Sequence, residues 1–248
     1  MTGFKDHFSS KAQDYAAFRP RYPQALADWL AEAAGTCDRA LDCGCGNGQL
    51  SALLAERFAQ VVATDASAQQ IAAAEPHPRV RYVCAPGEAS GLPDHSVDLL
   101  TVAQAAHWFD LDRFYAEARR VLRPGGLLAL ITYGVTEADD EPGAIIARLY
   151  HQSLPSFWPP ERRHVESRYR DLPFPFDELQ GPSIAMRADW TLAEILGYID
   201  TWSAVRNLEK IQGRSVMDAF AEELAAAWGP PENTREIRWP LSMRLARL

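Results

Sequence analysis

The sequence has few cysteines, and they are not spaced as metal ligands or redox pairs usually are. Four cysteines occur in 248 residues, at Cys37, Cys43, Cys45 and Cys84, and no two of them form a C-x-x-C pair. This usage is typical of a reduced, intracellular protein and offers no zinc motif. We therefore expect no metal site, and we expect Cys43 and Cys45 to be small residues of a strand end and a loop.

Long apolar runs and an excess of positive charge are also absent. No run is long enough to span a bilayer, and the first residues, MTGFKDHFSS, lack an apolar stretch of the signal-peptide kind. The formal net charge of −8 disfavours non-specific attraction to nucleic acid or to an anionic membrane. We expect a cytoplasmic protein, monomeric or homodimeric, that binds neither nucleic acid nor membranes.

Strand and helix patterns alternate through the first half of the chain. The strand segments are RALDC, QVVATD, VRYVCA, SVDLLTVA and LLALIT, and helical segments are predicted at 24–34, 49–58, 69–74 and 111–122. The last of these helices has an apolar face, and Pro124-Gly125-Gly126 ends it. This alternation predicts one α/β domain, with a doubly wound parallel sheet and helices on both of its faces.

The composition changes after Gly134. Residues 155–177 contain five prolines interleaved with aromatic residues, which suits an ordered covering segment better than a flexible linker. A helix is predicted within 191–205, another within 215–228, and a final strand within EIRWPLSMRLARL that Pro240 interrupts early. The ERRH run at 161–164 is typical of a solvated face and is too short for a nucleic-acid patch.

The stretch LDCGCGNGQ places three glycines directly after the first strand. Gly44, Gly46 and Gly48 lie where open α/β sheets bind ligands, and glycine lets a ligand approach the backbone closely. The dinucleotide fingerprint G-x-G-x-x-G would need a glycine at position 49, which is Gln49. Asp42 at the start of the loop would repel a pyrophosphate, whereas it suits a ligand that has an ammonium group.

Two further acids follow the next strands. Asp65 ends the second strand, where a carboxylate can accept hydrogen bonds from both hydroxyls of a ribose. Glu88, in PGEASGLP after the third strand, could accept from an adenine amino group. Together these acids indicate an adenosine with a cationic tail, which describes S-adenosylmethionine, with S-adenosylhomocysteine as the product of its use.

Six stretches in this order resemble the class I S-adenosylmethionine-dependent methyltransferases, in particular the small-molecule group that includes trans-aconitate methyltransferases. They are YAAFRPRYP, LDCGCGNGQLS, VVATDAS, GEASGLP, SVDLLTVAQAAHWFD and RVLRPGG, and they cover about residues 4–133. Weaker similarity to the same family is found in FWPPERRHVESRYRDLPFPF and TWSAV. One departure is Glu88, where many relatives have aspartate, whose side chain is shorter.

The resemblance implies a Rossmann-like sheet of seven strands, mostly parallel, with the last strand antiparallel. It also implies one domain over 1–248, divided into an N-terminal lid segment and helix (1–34), a cofactor-binding core (35–134), a substrate-covering insertion (135–235) and a final strand (236–248). Cofactor contacts are expected at Tyr15, Arg19, Asp42, Gly44, Cys45, Gly46, Gly48, Asp65, Ala66, Glu88, Ala89 and Gln104. Contacts with a small-molecule methyl acceptor are expected at Tyr22, His107, Trp108, Trp158 and Trp202.

His107 and Trp108 in AHWFD follow the fourth strand, at the edge of the sheet where the transferred methyl group should lie. His107 can be a structural hydrogen-bonding residue, a substrate contact or a general base, and Trp108 can line the pocket or pack in the core. A carboxylate acceptor is already ionised at neutral pH and needs no base. A phenol or an amine must lose a proton, and His107 is then the candidate base. The resemblance favours methylation of a carboxylate oxygen.

Three rival functions remain at this point. An NAD-dependent oxidoreductase is disfavoured by Gln49 and Asp42, and a catalytically silent cofactor-binding protein is disfavoured by the intact loop and the HWFD motif. A nucleic-acid methyltransferase would have a basic face and often an N/D-P-P-Y motif after the fourth strand, where this chain has AQAAHW.

Overall fold

The structure is a computed structural model that describes residues 20–248. The parallel part of its sheet consists of five strands in the order β3-β2-β1-β4-β5. They are β1 (Arg39–Cys43), β2 (Gln60–Asp65), β3 (Val80–Cys84), β4 (Val97–Ala103) and β5 (Leu122–Tyr133).

Three more strands complete one side of the sheet. The long β8 (Arg235–Arg247) pairs antiparallel with β5, and the short β6 (Glu137–Ala138) and β7 (Ala185–Trp190) pair antiparallel with β8. The predicted mostly parallel sheet with an antiparallel last strand is confirmed. The described residues contain eight strands because β6, which is two residues long, adds one to the expected seven.

Helices connect the strands and fill the second half of the chain. In the first half they are α1 (Gln24–Ala34), α2 (Gln49–Ala55), α3 (Ala68–Ala72) and α4 (Leu111–Val121). In the second half they are α5 (Asp140–Arg148), α6 (Arg162–Glu166), α7 (Leu192–Asp200), α8 (Ser203–Gln212) and α9 (Ser215–Trp228). Within residues 20–248, no helix combines the length and the apolar character that a membrane span requires.

The apolar side chains of the strands alternate between two cores, as the pleat of a strand requires. Along β1, Ala40 belongs to one cluster and Leu41 to the other. The first cluster also holds α1, α2 and much of the second half of the chain, and the second holds α4. The apolar face predicted for α4 is confirmed, since Phe114, Tyr115 and Ala118 are buried.

Three boundaries differ from the prediction. The helix predicted within 191–205 is two helices, because Trp202 has an extended backbone and buries its ring among other aromatic rings. β5 begins at Leu122, immediately after α4, because Leu122 already pairs with Val97 of β4. β8 continues through Pro240 instead of being interrupted there. Proline has no backbone N–H to donate, but β5 pairs only with the residues of β8 that follow Pro240, so no hydrogen bond between β5 and β8 requires that N–H.

Candidate active site

The candidate site lies where the order of the strands reverses, between the carboxyl ends of β1 and β4. The chain leaves β1 toward β2 on one side and leaves β4 toward β5 on the other, which opens a crevice above these two strands. The loops 44–48 and 104–110 meet there, since a Cβ atom placed on Gly44 would lie 2.6 Å from Cβ of Ala105. The fold therefore brings the glycine loop and the HWFD motif together.

The three glycines of the loop have positive φ angles, but they face different surroundings. A Cβ on Gly44 would collide with Ala105, and one on Gly48 would collide with the ring of Tyr82. Within the described part of the chain, a Cβ on Gly46 would meet only Oε1 of Gln70, at 3.7 Å. The expectation that all three glycines allow a ligand to approach is thus incomplete, because Gly44 and Gly48 also permit close packing within the protein.

Asp65 holds the loop against the end of β2. Its Oδ2 accepts a hydrogen bond from the backbone N–H of Gly46 at 2.9 Å, and its Oδ1 accepts from that of Ser67 at 2.8 Å. A carboxylate oxygen can accept more than one hydrogen bond, so Asp65 retains acceptor capacity toward a ligand. The neighbouring Ala66 is exposed. The carboxylate therefore sits beside the open Cα of Gly46.

Asp42 is buried rather than directed at solvent. Its side chain is 1% exposed, Oδ2 accepts from the Ser51 hydroxyl at 2.6 Å, and Oδ1 accepts from the Thr101 hydroxyl at 2.8 Å. Burial raises the pKa of this carboxyl to about 6, against the opposing effect of the two hydroxyls. The geometry makes Asp42 a link between β1, α2 and β4, and its contact with a cofactor stays a prediction.

The two cysteines of the loop are free and protonated. Burial raises the pKa of Cys43 to about 12 and raises that of Cys45 as well. The backbone N–H groups of Gly44 and Cys45 both donate to the carbonyl of Thr64, at 2.7 and 2.9 Å. Within the described part of the chain, no three side chains of His, Cys, Asp or Glu lie close enough together to hold a metal ion.

Glu88 ties the loop after β3 to the start of α4. Its Oε1 accepts from the backbone N–H of Asp110 at 2.8 Å, while the side chain of Asp110 caps α4 by accepting from the N–H of Arg113. The adjacent Ala89 is exposed. Because this bond occupies one oxygen of Glu88, an adenine contact would use its remaining acceptor capacity.

Gln104 follows β4 with a φ angle of +59°, which is rare for a residue other than glycine. Its backbone N–H donates to Ile131 at 2.8 Å and its Nε2 donates to the carbonyl of Tyr133 at 3.4 Å. The Thr132 hydroxyl donates to its Oε1 at 2.5 Å. Strained residues of this kind cluster at functional sites, and here the end of β5 holds the strain in place.

His107 lies in a short 3-10 turn (Ala106–Trp108) and is held by a buried tyrosine. Its Nδ1 is 2.8 Å from the hydroxyl of Tyr169, and its ring centroid is 4.8 Å from that of Trp108, whose side chain is 38% exposed. Burial, followed by the charges of His164 and Arg162, lowers the pKa of His107 to about 4. The imidazole is therefore neutral at physiological pH.

Trp158 and Trp202 belong to an aromatic cluster that also contains Tyr150 and Tyr198. The ring centroids of Trp158 and Trp202 are 5.7 Å apart, and that of Tyr150 lies 5.1 Å from Trp158. Tyr198 is 5.8 Å from Trp202. The two tryptophans, predicted from separate motifs, thus lie side by side.

Tyr22 packs edge-on against Tyr133 at the end of β5, with ring centroids 6.5 Å apart. This places one predicted acceptor residue beside the strand end that also holds Gln104. The predicted cofactor contacts at Tyr15 and Arg19 lie outside the described residues.

The comparisons with known proteins agree on a single family. A model of the methyltransferase domain matches residues 41–130. A Dictyostelium discoideum protein described as a methyltransferase is 31% identical over 253 residues, which cover 99% of this chain and 96% of the relative. The chain belongs to the class I S-adenosylmethionine-dependent methyltransferases.

Two further matches of the methyltransferase cover different shares of the chain. The solved structure of a protein from Anaeromyxobacter dehalogenans, described as a type II methyltransferase, shares 52% identity with a TM-score of 0.90 and covers 93% of this chain and 98% of its own. A malonyl-[acyl-carrier protein] O-methyltransferase of Dechloromonas aromatica is 40% identical over 127 residues, 49% of this chain and 45% of that protein. The trans-aconitate group in particular is not identified by these matches.

The methyltransferase uses S-adenosylmethionine, and the crevice fits this cofactor at two points. The open side of Gly46 leaves room for a ligand against the backbone, since among residues 20–248 only Gln70 comes within 4 Å of a Cβ placed there. The carboxylate of Asp65 beside it offers the acceptor that a ribose needs. The cofactor, the family and the fold were thus predicted correctly from the sequence.

Sequence reasoning missed Tyr169, Arg162 and His164. The interpretation of 161–164 as a solvated face is wrong for Arg162, whose guanidinium lies over the ring of Trp158, and for His164, whose ring centroid is 6.5 Å from that of His107. Arg163 is exposed, as expected. One signal was available, because Trp158, already predicted at the site, lies only a few residues before Arg162 in a proline-stiffened segment.

The raised pKa of Asp42 predicts a specific dependence of stability on pH. Because its pKa is about 6 in the folded protein against 3.8 for an unperturbed group, the folded state binds more protons between these values. The carboxyl thus makes the free energy of unfolding fall as the pH rises from about 4 to 6. For wild type we expect the free energy of unfolding to fall by about 2–3 kcal/mol over this range because of Asp42, and for Asp42→Asn we expect this fall to be absent. Urea unfolding at several pH values measures both profiles. The exposed Asp189→Asn should keep the wild-type profile, and an unchanged profile in Asp42→Asn would contradict the assignment.

Proposed function

We propose that this methyltransferase methylates a carboxylate oxygen of a small organic acid. The observation that carries the proposal is the setting of His107, whose Nδ1 is 2.8 Å from the buried Tyr169 hydroxyl and whose pKa burial lowers to about 4. A base this weak is poorly matched to removing a proton from a phenol or an ammonium group. A carboxylate needs no deprotonation, so the site suits an acceptor that arrives already ionised. The motifs shared with the trans-aconitate group and the O-methyltransferase among the relatives support the same chemistry.

For the cofactor, we propose contacts from one continuous edge of the crevice. The loop from Gly44 to Gly48 would contact the amino-acid tail through its backbone, and Asp65 would accept from the ribose hydroxyls. Glu88 and Ala89 would lie at the adenine, and Gln104 at the end of β4. Tyr15 and Arg19, which lie outside the described residues, would also contact the cofactor.

When bound, S-adenosylmethionine supplies an electrophilic methyl group, whose transfer to a carboxylate oxygen leaves S-adenosylhomocysteine and a methyl ester. The residues of this chain align the acceptor and exclude water, and orientation alone can contribute several kcal/mol. His107, fixed by Tyr169, positions the acceptor without exchanging a proton. Trp108, Trp158, Trp202 and Tyr22 supply apolar walls.

The remaining features of the proposal concern the setting of the reaction. Residues 135–235 act as the cover of the acceptor site, which two observations support: Arg162 contacts Trp158, and its charge acts on His107. The negative net charge supports a small cytoplasmic acceptor over nucleic acid. The protein acts as a monomer or a homodimer.

A labelled methyl-donor assay tests the acceptor class. Wild-type protein is incubated with methyl-labelled S-adenosylmethionine and a panel of small carboxylic acids, phenols and amines. We expect label in an alkali-labile ester of an acid. Label in alkali-stable ethers or amines alone would contradict the proposal. Binding of S-adenosylhomocysteine without any transfer to the panel would favour the catalytically silent alternative.

The role of His107 gives a second expected result. With a carboxylate acceptor, we expect His107→Asn to lower kcat/KM by roughly tenfold or less, the scale of one lost hydrogen bond. The wild-type kcat/KM should be flat from about pH 6 to 8, because His107 titrates near pH 4. A general base would instead give a loss of about 10²–10⁴-fold, partly rescued at high pH. Thermal melting of the variant separates either result from a collapsed pocket.

A further inference from the structure

Arg162 occupies an unusual position at the start of α6. Its guanidinium carbon lies 4.7 Å from the ring centroid of Trp158 and 5.4 Å from that of Tyr150, and its Nε donates to the Tyr150 hydroxyl at 2.7 Å. Stacking on two aromatic rings and this hydrogen bond fix the plane of the guanidinium. The side chain is therefore held rigidly at the edge of the aromatic cluster.

The terminal nitrogens of this guanidinium have no protein partner among residues 20–248. Glu166 is linked to Arg162 only through the Tyr150 hydroxyl, which donates to its Oε1 at 2.7 Å, and no carboxylate of the described chain forms an ion pair with Arg162. Two other partly buried arginines do have carboxylate partners: Arg238 pairs with Asp139, and Arg244 pairs with Glu178. Since a guanidinium has five N–H donors, Arg162 keeps two NH₂ groups for a ligand.

These donors belong to the acceptor side of the crevice. Arg162 is close enough to His107 for its charge to contribute to the lowered pKa of that histidine. Its charge also lowers the pKa of Tyr198, against the larger opposing effect of burial. His164, two residues later, brings its ring to 6.5 Å from that of His107. The guanidinium is thus near both the aromatic cluster and His107, the residue proposed to position the acceptor.

We propose that Arg162 is a specificity-determining residue that binds a second carboxylate of the methyl acceptor, one that is not methylated. This inference rests on the proposed carboxylate methylation. Arginine matches a carboxylate with two parallel hydrogen bonds, which fixes orientation as well as adding affinity. Those bonds draw negative charge away from the oxygens and weaken them as nucleophiles, so the anchored carboxylate and the reacting one are different groups. The acceptor then has at least two carboxylates, with its carbon skeleton against Trp158.

Calorimetry of the protein saturated with S-adenosylhomocysteine tests this role without turnover. The probes are tricarballylate, which has three carboxylates, and hexanoate, which has one. We expect Arg162→Gln to weaken tricarballylate binding about 30-fold, as for a lost charge-assisted pair, and to change hexanoate binding less than about threefold. Arg162→Lys should restore part of the loss, and Arg163→Gln, on the exposed side of the same helix, should behave as wild type.

The outcomes separate this inference from the proposed function. If wild type methylates acids and Arg162→Gln binds both probes as wild type does, the role of Arg162 is overturned while the function stands. Equal losses for both probes, or a loss of S-adenosylhomocysteine affinity, would make Arg162 a packing residue and overturn the inference as well. If wild type binds no tricarballylate and methylates only phenols or amines, both are wrong. In steady-state assays on a polycarboxylate acceptor, the expected change is a raised KM with kcat nearly unchanged.

Discussion

Replacing Asp65 with alanine is expected to weaken the binding of S-adenosylhomocysteine about 100-fold. The ribose would lose two hydrogen bonds, and at about 1.5 kcal/mol each, the low end for bonds to a charged group, their loss corresponds to roughly 100-fold. The same change releases the backbone N–H groups of Gly46 and Ser67, which Asp65 now holds at 2.9 and 2.8 Å. Isothermal calorimetry of both proteins gives the two dissociation constants directly.

A second ligand distinguishes ribose recognition from loss of loop order. The 2′,3′-dideoxy analogue of S-adenosylhomocysteine lacks both hydroxyls, so wild type should bind it far more weakly than the natural product. Asp65→Ala should bind the two ligands with similar affinity, because a double-mutant cycle isolates the contact that both changes remove. Asp65→Asn keeps one carbonyl oxygen and should lie between the two proteins. If Asp65→Ala still prefers the natural ligand as wild type does, Asp65 does not bind the ribose.

Replacing Gly44 with alanine is expected to lower the free energy of unfolding by roughly 2–5 kcal/mol. The residue has a φ angle of +70°, which costs about 1–2 kcal/mol for a side chain with a Cβ. The added Cβ would also lie 2.6 Å from Cβ of Ala105 and 3.2 Å from the ring of Phe109, and overpacking of this kind typically costs about 1–3 kcal/mol. Urea unfolding measures the sum, which is a large part of the stability of a typical domain.

Two matched variants test the cause of this loss. Gly46→Ala has the same sign of φ but meets no atom of the described residues closer than 3.7 Å, so it should lose only about 1–2 kcal/mol. The same variant should bind S-adenosylhomocysteine poorly, because its Cβ points to the open side of the loop. Ala105→Gly should recover part of the stability lost in Gly44→Ala, since it removes the closest contact. An equal loss in Gly44→Ala and Gly46→Ala would mean that backbone conformation alone, without the collision, sets the cost.

The sequence was most informative where local patterns are strong. The bounds of β1, β2 and α1 agree with the prediction, because apolar runs of strand length and an amphipathic helical pattern are set by neighbouring residues. The cofactor followed from the glycine spacing and from Asp65 at the end of its strand. The predicted helix across Trp202 was wrong, because its break is made by burial of that ring among Tyr150, Trp158 and Tyr198.

By itself, the sequence determined the fold class and the alternation of strands and helices that places the glycine loop directly after β1. These depend on periodicity and on short-range spacing, which can be read along the chain. Only the tertiary structure decided the state of the side chains: it buries Asp42 between two hydroxyls, makes His107 neutral against Tyr169 and places Arg162 over Trp158. Burial and charge at these points come from residues distant in sequence, such as Thr101 and Tyr169, that pack together only when the sheet and its cover have formed.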